Sequence, residues 1–465
     1  MTTPDERNAA LVKWVEEAGG CLHPSVEVYH DPVTKGSFRV KDGCAVAQGE
    51  SVVTLPISRS LSYLNAICGH PDFPAVTHKN IQENTPSREW FPAEFLREVE
   101  PHVIGRFVLM QEYLRGSASA WWPYIRTLPQ PEHVAGMLPA LWPVDDLEFL
   151  VGTNAYVAVQ EIKSTLKKEY KQAMKLLPDS DFAGYTRPLY LWAYAIFTSR
   201  SFRPSLIIPD AEALALPCEI DDFSVLLPLY DVGNHSPVAR TAWRTDSETL
   251  LCRLISGQAC ESGSQVFNVG FHASRSARLR LPNYGMKTNA ELLLGYGFIL
   301  PEEEYLHNDY VHVRTRATDD DDLAGTHLVS LRPMTDPTSV VGRSKRLTSD
   351  DCPGIATQFS HIQDSLVTSL YEAITRAAAA AAGEQDTFED SATMDDIMSG
   401  RIAPPVKERI VQALGSKLSQ DLDVLEEVEV PTEGLSENQR LAVRYREQCV
   451  KTLENALRCL ASDDE

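Results

Sequence analysis

The sequence lacks the motifs that mark several large enzyme classes. Its 465 residues contain no GxGxxG that opens a helix after a predicted strand, no GxxxxGK followed by Ser or Thr, no GxSxG and no HExxH. Each of these patterns brings backbone amides, a nucleophile or metal ligands to the place where a particular reaction needs them. Their absence disfavours dinucleotide-binding enzymes, P-loop enzymes, GxSxG hydrolases and zinc proteases.

Cysteine is present but is not arranged for disulfide frameworks or metal binding. The nine cysteines are scattered, with no CxxC pair and no cluster of cysteine and histidine at metal-ligand spacing. Structural zinc sites use closely spaced pairs of such ligands. The pattern therefore predicts reduced thiols in the core and no bound metal.

Positive charge and long apolar runs are also scarce. The 65 acidic residues outnumber the 43 Lys and Arg residues, so the formal net charge is −22. Such a charge disfavours binding to nucleic acid or anionic membrane but is compatible with a basic protein partner. No apolar run reaches membrane-spanning length, and the first 20 residues carry acids where a secretory signal needs a basic flank. We therefore expect a protein of the cytoplasm, the nucleus or both.

Two polar motifs, each following an apolar run, are the most informative part of the sequence. Residues 226–237 read LLPLYDVGNHSP, and residues 283–298 read NYGMKTNAELLLGYGF. An apolar run that ends abruptly in polar side chains is expected where a buried strand reaches a cleft. The two motifs are rich in Asn, His and Tyr and poor in paired carboxylates. This composition favours binding and orienting a substrate over hydrolytic acid–base chemistry.

Hydrophobic periodicity predicts an α+β fold in which a helical insertion splits a β unit. Helical patterns fill most of residues 61–218, and Trp121, Trp122 and Tyr124 within them are predicted to anchor a core. The last helix is predicted to begin at the capping box around Ser436. Strands are predicted at 26–29, 37–40, 44–46, 51–55, 205–208, 225–229, 241–243, 249–254 and 265–269, and helices at 1–20, 104–114, 145–176, 189–202 and 365–382.

The two motifs resemble those of the SET-domain protein methyltransferases. YDVGNHS is similar to the family's NHS motif, and NYGMKTNAELLLGYGF is similar to its closing motif, whose tyrosines form the methyl-transfer pocket. The chain looks most like the subgroup of the Rubisco large-subunit lysine methyltransferase, which includes ribosomal-protein lysine and actin histidine methyltransferases. Three further segments carry the likeness across roughly residues 30–460: SAWWPYIRTLP, YLWAYAIFTSRSF and ENQRLAVRYREQCVKTLENAL.

The resemblance implies a domain organisation and an activity. A SET domain would span residues 1–300, with the helical insertion at about 61–218, and an all-helical substrate-binding-like domain would span residues 301–465. The implied activity is S-adenosylmethionine-dependent methylation of a lysine on a non-histone protein, such as a ribosomal protein, by a monomer. Two alternatives stay open: methylation of a protein histidine, and a catalytically impaired SET scaffold that only binds.

The resemblance also implies the site residues. Without it, His235 would be taken for a structural histidine and Arg200 for a charge at a helix C-terminus; their joint occurrence with the motif favours a site. In the family the loop at 36–38 has a second glycine, which this chain lacks. The implied cofactor-binding residues are Gly36, Ser37, Phe38, Arg200, Asp231, Asn234 and His235, and the implied catalytic residues are Tyr284, nearest the transferred methyl group, and Tyr296.

Residues 269–282, VGFHASRSARLRLP, depart from the family pattern. The family runs from the preceding strand directly into NYG, and removal of this segment would restore VFNNYGMKTN. The segment carries three arginines and no acid in a strongly acidic protein. One hypothesis is a translated intron or a gene-model error, and the other is a genuine basic loop. Because the segment lies just before Tyr284, it could displace the hydroxyl group on which transfer would depend.

Overall fold

The computed structural model describes most of the chain. It covers residues 3–31, 35–73, 91–178, 182–208, 216–234, 236, 239–268, 287–314, 325–345, 354–382, 392–429, 431 and 433–462. His235, Tyr284 and the segment 269–282 lie outside the described residues. The chain forms two compact units, of which unit 1 comprises Met1–Val134 and Lys163–Gly285, and unit 2 comprises Ala135–Ile162 and Met286–Glu465.

The described helices occur along the whole sequence, and most of the long ones begin or end at residues that are typical of helix ends. Helix α1 begins with a capping box between Thr3 and Glu6, and the last helix begins with the predicted capping box between Ser436 and Gln439. The α-helices are α1 Pro4–Glu16, α2 Leu64–Ile67, α3 Ala93–Glu98, α4 Pro101–Arg115, α5 Trp122–Ile125, α6 Val144–Leu147, α7 Asn154–Lys175, α8 Arg187–Arg200, α9 Asn289–Tyr296, α10 Val340–Ser344, α11 Asp364–Ala382, α12 Met394–Met398, α13 Pro404–Glu426 and α14 Glu437–Leu460.

The described strands form antiparallel sheets. Unit 1 holds a four-stranded sheet of order β1-β4-β9-β8 and two three-stranded sheets of orders β10-β3-β2 and β5-β7-β6, and unit 2 holds the pair β11-β12. The strands are β1 Cys21–Leu22, β2 Val26–Asp31, β3 Lys35–Val40, β4 Ser51–Pro56, β5 Leu61–Ser62, β6 Ser201–Phe202, β7 Val225–Leu226, β8 Thr241–Thr245, β9 Leu251–Ser256, β10 Gln265–Val266, β11 Tyr310–Arg314 and β12 Thr326–Ser330.

The pairing of these strands confirms a split β unit. Strand β4 precedes the helical insertion and pairs with β9, which follows it. Strand β5 pairs with β7 in the same way, and β6 closes the other edge of β7. Because strands distant in sequence share sheets, the insertion leaves and rejoins one β structure. Together with the helices, this confirms the predicted α+β class.

The insertion has its own buried polar cluster between α4, α7 and α8. Arg106 donates hydrogen bonds to Glu169 and to the Tyr190 hydroxyl, each at 2.6 Å, and the Tyr190 hydroxyl donates to Glu169 at 2.8 Å. Burial alone would raise the pKa of Glu169, but hydrogen bonding to His102 and the charge of Arg106 hold this pKa at about 2. The cluster therefore stays charged and joins the three helices.

Unit 2 corrects the prediction of an all-helical C-terminal domain. Strands β11 and β12 pair in register, with Val311 opposite Val329 and Val313 opposite His327. Buried residues in β11 and β12 pack against the helices of the unit. The pair was not predicted because residues 315–325, which separate the two strands, contain an acidic run and are longer than a hairpin turn.

Three local predictions were also wrong. The helix predicted over 145–176 is interrupted at Gly152, whose φ of 86° is in the left-handed region, so that α6 and α7 are separate. The strand predicted at 205–208 is a 3-10 turn over Pro204–Leu206, because proline fixes φ and has no N–H to donate. The strand predicted at 44–46 is reduced to one bridge between Val46 and Cys260.

The core of unit 2 is formed by long amphipathic helices. Helix α14 buries Tyr445, Cys449 and Leu453 on one face, and α13 buries Leu414 and Leu418 on the face that belongs to the same cluster. This spacing of apolar residues is the one that the sequence indicated for the last helix. No helix in the described ranges is both long enough and apolar enough to cross a membrane.

Candidate active site

The first polar motif forms a tight turn at the end of a buried strand. Leu226, Leu227 and Leu229 are fully buried, and the chain then enters a 3-10 turn over Tyr230–Val232. Leu229 has a φ of 68°, which is uncommon for a residue with a side chain and costs on the order of 1 kcal/mol. The apolar run thus fixes a strained turn whose polar residues follow at once, as the motif predicted.

Gly233 lets this turn approach two other segments closely. A Cβ atom at Gly233 would lie 2.7 Å from Asn268 Cβ and 3.1 Å from Phe38 Cδ2. The backbone amide of Asn268 donates to the carbonyl oxygen of Asn234 at 3.0 Å, and the Asn268 side chain donates to the carbonyl oxygen of Tyr230. The turn is therefore held against β3 and the end of β10 by both packing and hydrogen bonds.

The segment predicted as a cofactor loop lies in strand β3 next to the turn. Ser37 and Phe38 are fully buried, and the Asn234 amide donates to the Ser37 hydroxyl at 3.0 Å. Among the described residues, the nearest atom to a Cβ at Gly36 would be Val232 Cγ1 at 3.8 Å, so these residues leave space there. The structure thus brings Gly36, Ser37 and Phe38 together with Asn234, in the strand predicted at 37–40, which extends back to include Gly36.

Arg200 and Asp231 form an ion pair on another side of the turn. Arg200 is the last residue of α8, and its Nη1 lies 3.5 Å from Asp231 Oδ2 and 3.3 Å from the Asp231 carbonyl oxygen. The Tyr124 hydroxyl donates to the same Oδ2 at 2.8 Å. Burial raises the pKa of Asp231 above its ordinary value, while Arg200 and Tyr124 act against this rise.

Tyr296 is the last residue of helix α9, in unit 2. This helix begins with a capping box between Thr288 and Glu291 and ends at Gly297, whose φ of 75° is left-handed. The Tyr296 ring contacts Phe298 edge-on at a centroid distance of 6.2 Å, and Lys287 Nζ lies 5.7 Å from the Tyr296 ring centroid. Capping at both ends and these aromatic contacts fix the helix terminus that carries the phenol group.

A buried amide holds the first turn of α9 in unit 2. Asn289 donates toward Leu300 O at 2.8 Å, Asp309 Oδ1 at 3.0 Å and Gln448 Oε1 at 2.9 Å, and its own oxygen accepts from Leu300 N–H at 2.8 Å. Burial raises the pKa of Asp309 to about 6, against the opposing effect of the hydrogen bond from Asn289. One residue of the second motif thus joins α9 to β11 and α14.

The chain is similar to characterised protein methyltransferases, although no protein-family model matches it. It is 30% identical over 322 residues to the ribosomal lysine N-methyltransferase set10 of Schizosaccharomyces pombe, a match that covers 66% of this chain and 50% of set10. It is 25% identical over 243 residues to the actin-histidine N-methyltransferase of Drosophila melanogaster, covering 48% of this chain and 40% of that protein. The chain thus spans about half, or less, of the length of these curated relatives.

Solved structures share the fold of the chain. The SET domain of LSMT bound to lysine and AdoHcy matches with a TM-score of 0.61 at 16% identity, over 98% of this chain and 90% of that one. The chain therefore has the fold of the SET domain of LSMT. Rubisco LSMT bound to AdoMet matches with a TM-score of 0.59 at 17% identity, over 99% of this chain and 92% of that one. The resemblance noted for the two motifs and the fold it implies are therefore confirmed.

The implied site residues fall into three groups. Those of unit 1 that the structure describes meet at the turn: Gly36, Ser37, Phe38, Arg200, Asp231 and Asn234. Tyr296 lies in unit 2. His235 and Tyr284 lie outside the described residues, and the roles of all these residues stay predictions.

Two residues that hold the turn, Asn268 and Tyr124, were not predicted as part of the site. Asn268 is a polar residue at the end of a strand-like run, the same signal that drew attention to Asn234. Tyr124 was predicted as a core anchor, and it is 1% exposed. Its hydrogen bond to Asp231 joins positions 107 residues apart, a contact that no local pattern predicts.

Proposed function

We propose that the chain is an S-adenosylmethionine-dependent protein-lysine N-methyltransferase that acts on a non-histone protein, such as a ribosomal protein. The observation that carries this proposal is the 30% identity over 322 residues to the ribosomal lysine N-methyltransferase set10. The matched part is half of set10, so the activity and the substrate class are inferred from the likeness together with the chemistry of the site.

S-adenosylmethionine would be held by the residues around the unit 1 turn. Three features of the described residues fit this ligand: the space they leave beside Gly36, an amide and a hydroxyl at Asn234 and Ser37, and a buried carboxylate at Asp231 whose Oδ1 has no hydrogen-bond partner among them. Backbone near a glycine without close neighbours can approach a flat ligand. When bound, S-adenosylmethionine supplies a methyl group on a positively charged sulfur. We assign Gly36, Ser37, Phe38, Arg200, Asp231, Asn234 and His235 to its binding.

Tyr284 and Tyr296 would orient the methyl acceptor. A lysine side chain has a pKa of about 10.4 in water, so it is almost wholly protonated at neutral pH and cannot attack. An aromatic channel that excludes water disfavours the ammonium form and lowers this pKa. Tyrosine hydroxyls at fixed positions then align the neutral amine for in-line displacement. We therefore assign alignment, rather than proton abstraction, to Tyr284, and a channel wall to Tyr296.

The remaining features of the proposal concern organisation and setting. We propose a SET domain over residues 1–300 and a substrate-binding domain over residues 301–465. The net charge of −22 supports a basic protein substrate. A monomer in the cytoplasm, the nucleus or both accords with the same composition.

Methylation of a protein histidine is the second candidate activity. The likeness to the actin-histidine N-methyltransferase of Drosophila melanogaster, at 25% identity over 243 residues, favours it. Histidine has an ordinary pKa near 6.5, so a neutral acceptor would be available without the shift that lysine needs. The two activities therefore predict different dependence of the transfer rate on pH, as well as different products.

The decisive experiment separates cofactor binding from methyl transfer. Isothermal calorimetry with S-adenosylmethionine measures binding, and transfer of tritiated methyl groups into ribosomal proteins from cells that lack this gene measures activity. Amino-acid analysis of the labelled protein then distinguishes methyllysine from methylhistidine. Absence of cofactor binding would contradict the proposal, and binding without transfer would favour a SET scaffold that has lost catalysis.

Two tyrosine variants sharpen this experiment. Tyr284→Phe should bind S-adenosylmethionine normally and lower the transfer rate about a hundredfold, as expected when a transition-state contact is lost. Tyr305→Phe is the matched control, because Tyr305 is 77% exposed and belongs to no assigned site. Equal activity of the two variants would remove Tyr284 from the proposed site.

The inserted segment at 269–282 has a test of its own. Sequencing the transcript shows whether the message encodes it, and a variant without these residues, which restores VFNNYGMKTN, shows what it does to activity. Loop closure entropy grows slowly with length, so the fold tolerates either form. A deletion variant that transfers methyl groups faster than the full chain would support the view that the segment displaces Tyr284.

A further inference from the structure

Tyr124 is a buried tyrosine whose hydroxyl group has a carboxylate of the candidate site as its hydrogen-bond partner. It lies on the short helix α5 in the insertion and is 1% exposed. Its hydroxyl donates to Asp231 Oδ2 at 2.8 Å. Burial and the neighbouring Asp231 charge raise the pKa of Tyr124 well above its ordinary value, so the phenol keeps its proton and remains a donor at every physiological pH.

The carboxylate of Asp231 depends on this donor. Oδ2 receives the Tyr124 hydroxyl and faces Arg200 at 3.5 Å, whereas Oδ1 has no hydrogen-bond partner among the described residues. A buried carboxylate with so few donors is costly to keep charged. Tyr124 from α5 and Arg200 from α8 are the titratable and charged groups that face it in the described part of unit 1. Loss of either would favour the protonated carboxyl group.

The position of Asp231 determines that of Asn234, because the two residues lie three positions apart in the same turn. Arg200 also donates to the Asp231 carbonyl oxygen at 3.3 Å. At the other end of the turn, the backbone amide of Asn268 donates to the Asn234 carbonyl oxygen at 3.0 Å. Asn234 in turn donates to Ser37 at 3.0 Å. The turn begins at the strained Leu229, which persists only while surrounding contacts hold it.

We propose that Tyr124 is a positioning residue for S-adenosylmethionine binding, which it supports by fixing the Asp231 carboxylate and thereby the turn that presents Asn234. This inference rests on the proposed function, and it adds a residue of the helical insertion to the binding site of the β structure. Tyr124 does not touch the cofactor in this proposal. It acts through Asp231.

The test compares two buried tyrosine hydroxyls in unit 1. Tyr124→Phe removes the donor to Asp231, and Tyr190→Phe removes a donor to Glu169 within the insertion cluster. Both variants lose a hydrogen bond to a buried carboxylate, so both lower the melting temperature. Only Tyr124→Phe should weaken S-adenosylmethionine binding, by about tenfold in Kd measured by calorimetry.

The pH dependence of S-adenosylmethionine binding distinguishes a positioning role of Tyr124 from a purely structural one, because loss of a purely structural contact leaves the pH profile unchanged. Without Tyr124 the pKa of Asp231 rises further. As the solution is acidified, Tyr124→Phe should therefore lose affinity for S-adenosylmethionine at a higher pH than the native protein does. Tyr190→Phe should keep the native pH profile.

The outcomes are distinct. If the native protein binds S-adenosylmethionine and Tyr124→Phe binds with native affinity and a native pH profile, the positioning role is wrong. An equal loss of affinity in Tyr190→Phe would assign the effect to general destabilisation and overturn the inference as well. If the native protein does not bind S-adenosylmethionine, the proposed function itself fails.

Discussion

Replacing Gly233 by alanine should destabilise unit 1 although the backbone can accept the change. The φ and ψ angles of Gly233 are −66° and 131°, which every residue adopts readily. The cost arises from the added methyl group, which would lie 2.7 Å from Asn268 Cβ, 3.1 Å from Phe38 Cδ2 and 3.2 Å from Asn268 N. Because one of these atoms belongs to the backbone, a side-chain rotation alone cannot relieve the overlap.

The magnitude follows from the tightness of the contact. Ordinary contacts between carbon atoms lie at about 3.5–4.0 Å, so the closest overlap is close to an ångström. Forcing an additional methyl group into a packed site costs about 1–3 kcal/mol. For a protein of this size, each kcal/mol lowers Tm by roughly 2–4 °C. The same displacement would move Asn234 away from Ser37, so S-adenosylmethionine binding should weaken along with stability.

Gly36→Ala is the matched control for this prediction. Among the described residues, a methyl group at Gly36 would meet only Val232 Cγ1, at 3.8 Å, which is an ordinary contact. Differential scanning calorimetry and titration with S-adenosylmethionine should show Gly233→Ala losing both Tm and affinity. Gly36→Ala should keep its Tm and lose affinity only, since its methyl group fills the space assigned to the cofactor. A native Tm for Gly233→Ala would refute the packing argument, and native affinity for Gly36→Ala would refute the assignment of that space.

Three further predictions concern unit 2. Asn289→Ala should lower the free energy of unfolding by about 3 kcal/mol in urea melts, because it leaves the buried Leu300 N–H without its acceptor and Gln448 Oε1 without its donor; a change below about 1 kcal/mol would contradict this. Burial lowers the pKa of His307 to about 4, so its contribution to stability is complete above pH 6.5 and lost as pH falls toward 4, and His307→Gln should flatten the plot of Tm against pH in that window. The contribution of Asp309 to stability depends on pH in the opposite direction, because its raised pKa of about 6 means that this contribution is lost as pH rises through 6. Asp309→Asn should therefore steepen the rise of Tm between pH 4 and 6. An unchanged slope in either variant would show that these groups do not control the acid response.

The parts of the fold that the sequence predicted are those with a local physical signal. The capping box at Ser436 and the apolar spacing of Tyr445, Cys449 and Leu453 mark α14 within a single window of sequence, and the structure has that helix. The run that ends at Leu229 marks the turn of the candidate site in the same way. Such signals need no knowledge of the rest of the chain.

The parts that were missed depend on contacts between distant segments. Strands β11 and β12 are short, and their pairing of Val311 with Val329 crosses a segment without a turn signal. The hydrogen bond of Tyr124 to Asp231 is equally invisible in sequence, because either residue alone has an adequate local explanation. Gly36 lies in β3, one residue ahead of the strand predicted at 37–40, because His30 of β2 pairs with it.

The division of the chain between the two units has a consequence for its synthesis on the ribosome. Residues 135–162 belong to unit 2, whose other residues begin only at Met286. Their partners include the last helix: Ser436 and Asn438 bond to Asp146, and Tyr445 bonds to Asn154 at 2.9 Å. Protease protection of nascent chains stalled before and after α14 would reveal when this segment becomes structured.

At a translation rate of roughly 5–20 residues per second, the segment waits on the order of 15–60 seconds for its partners. During that interval its apolar residues, among them Trp142 and Leu147, have no native core to enter, although both are buried in the finished protein. In newly made chains this internal stretch therefore stays open to chaperone binding and aggregation well after the residues that follow it have been translated.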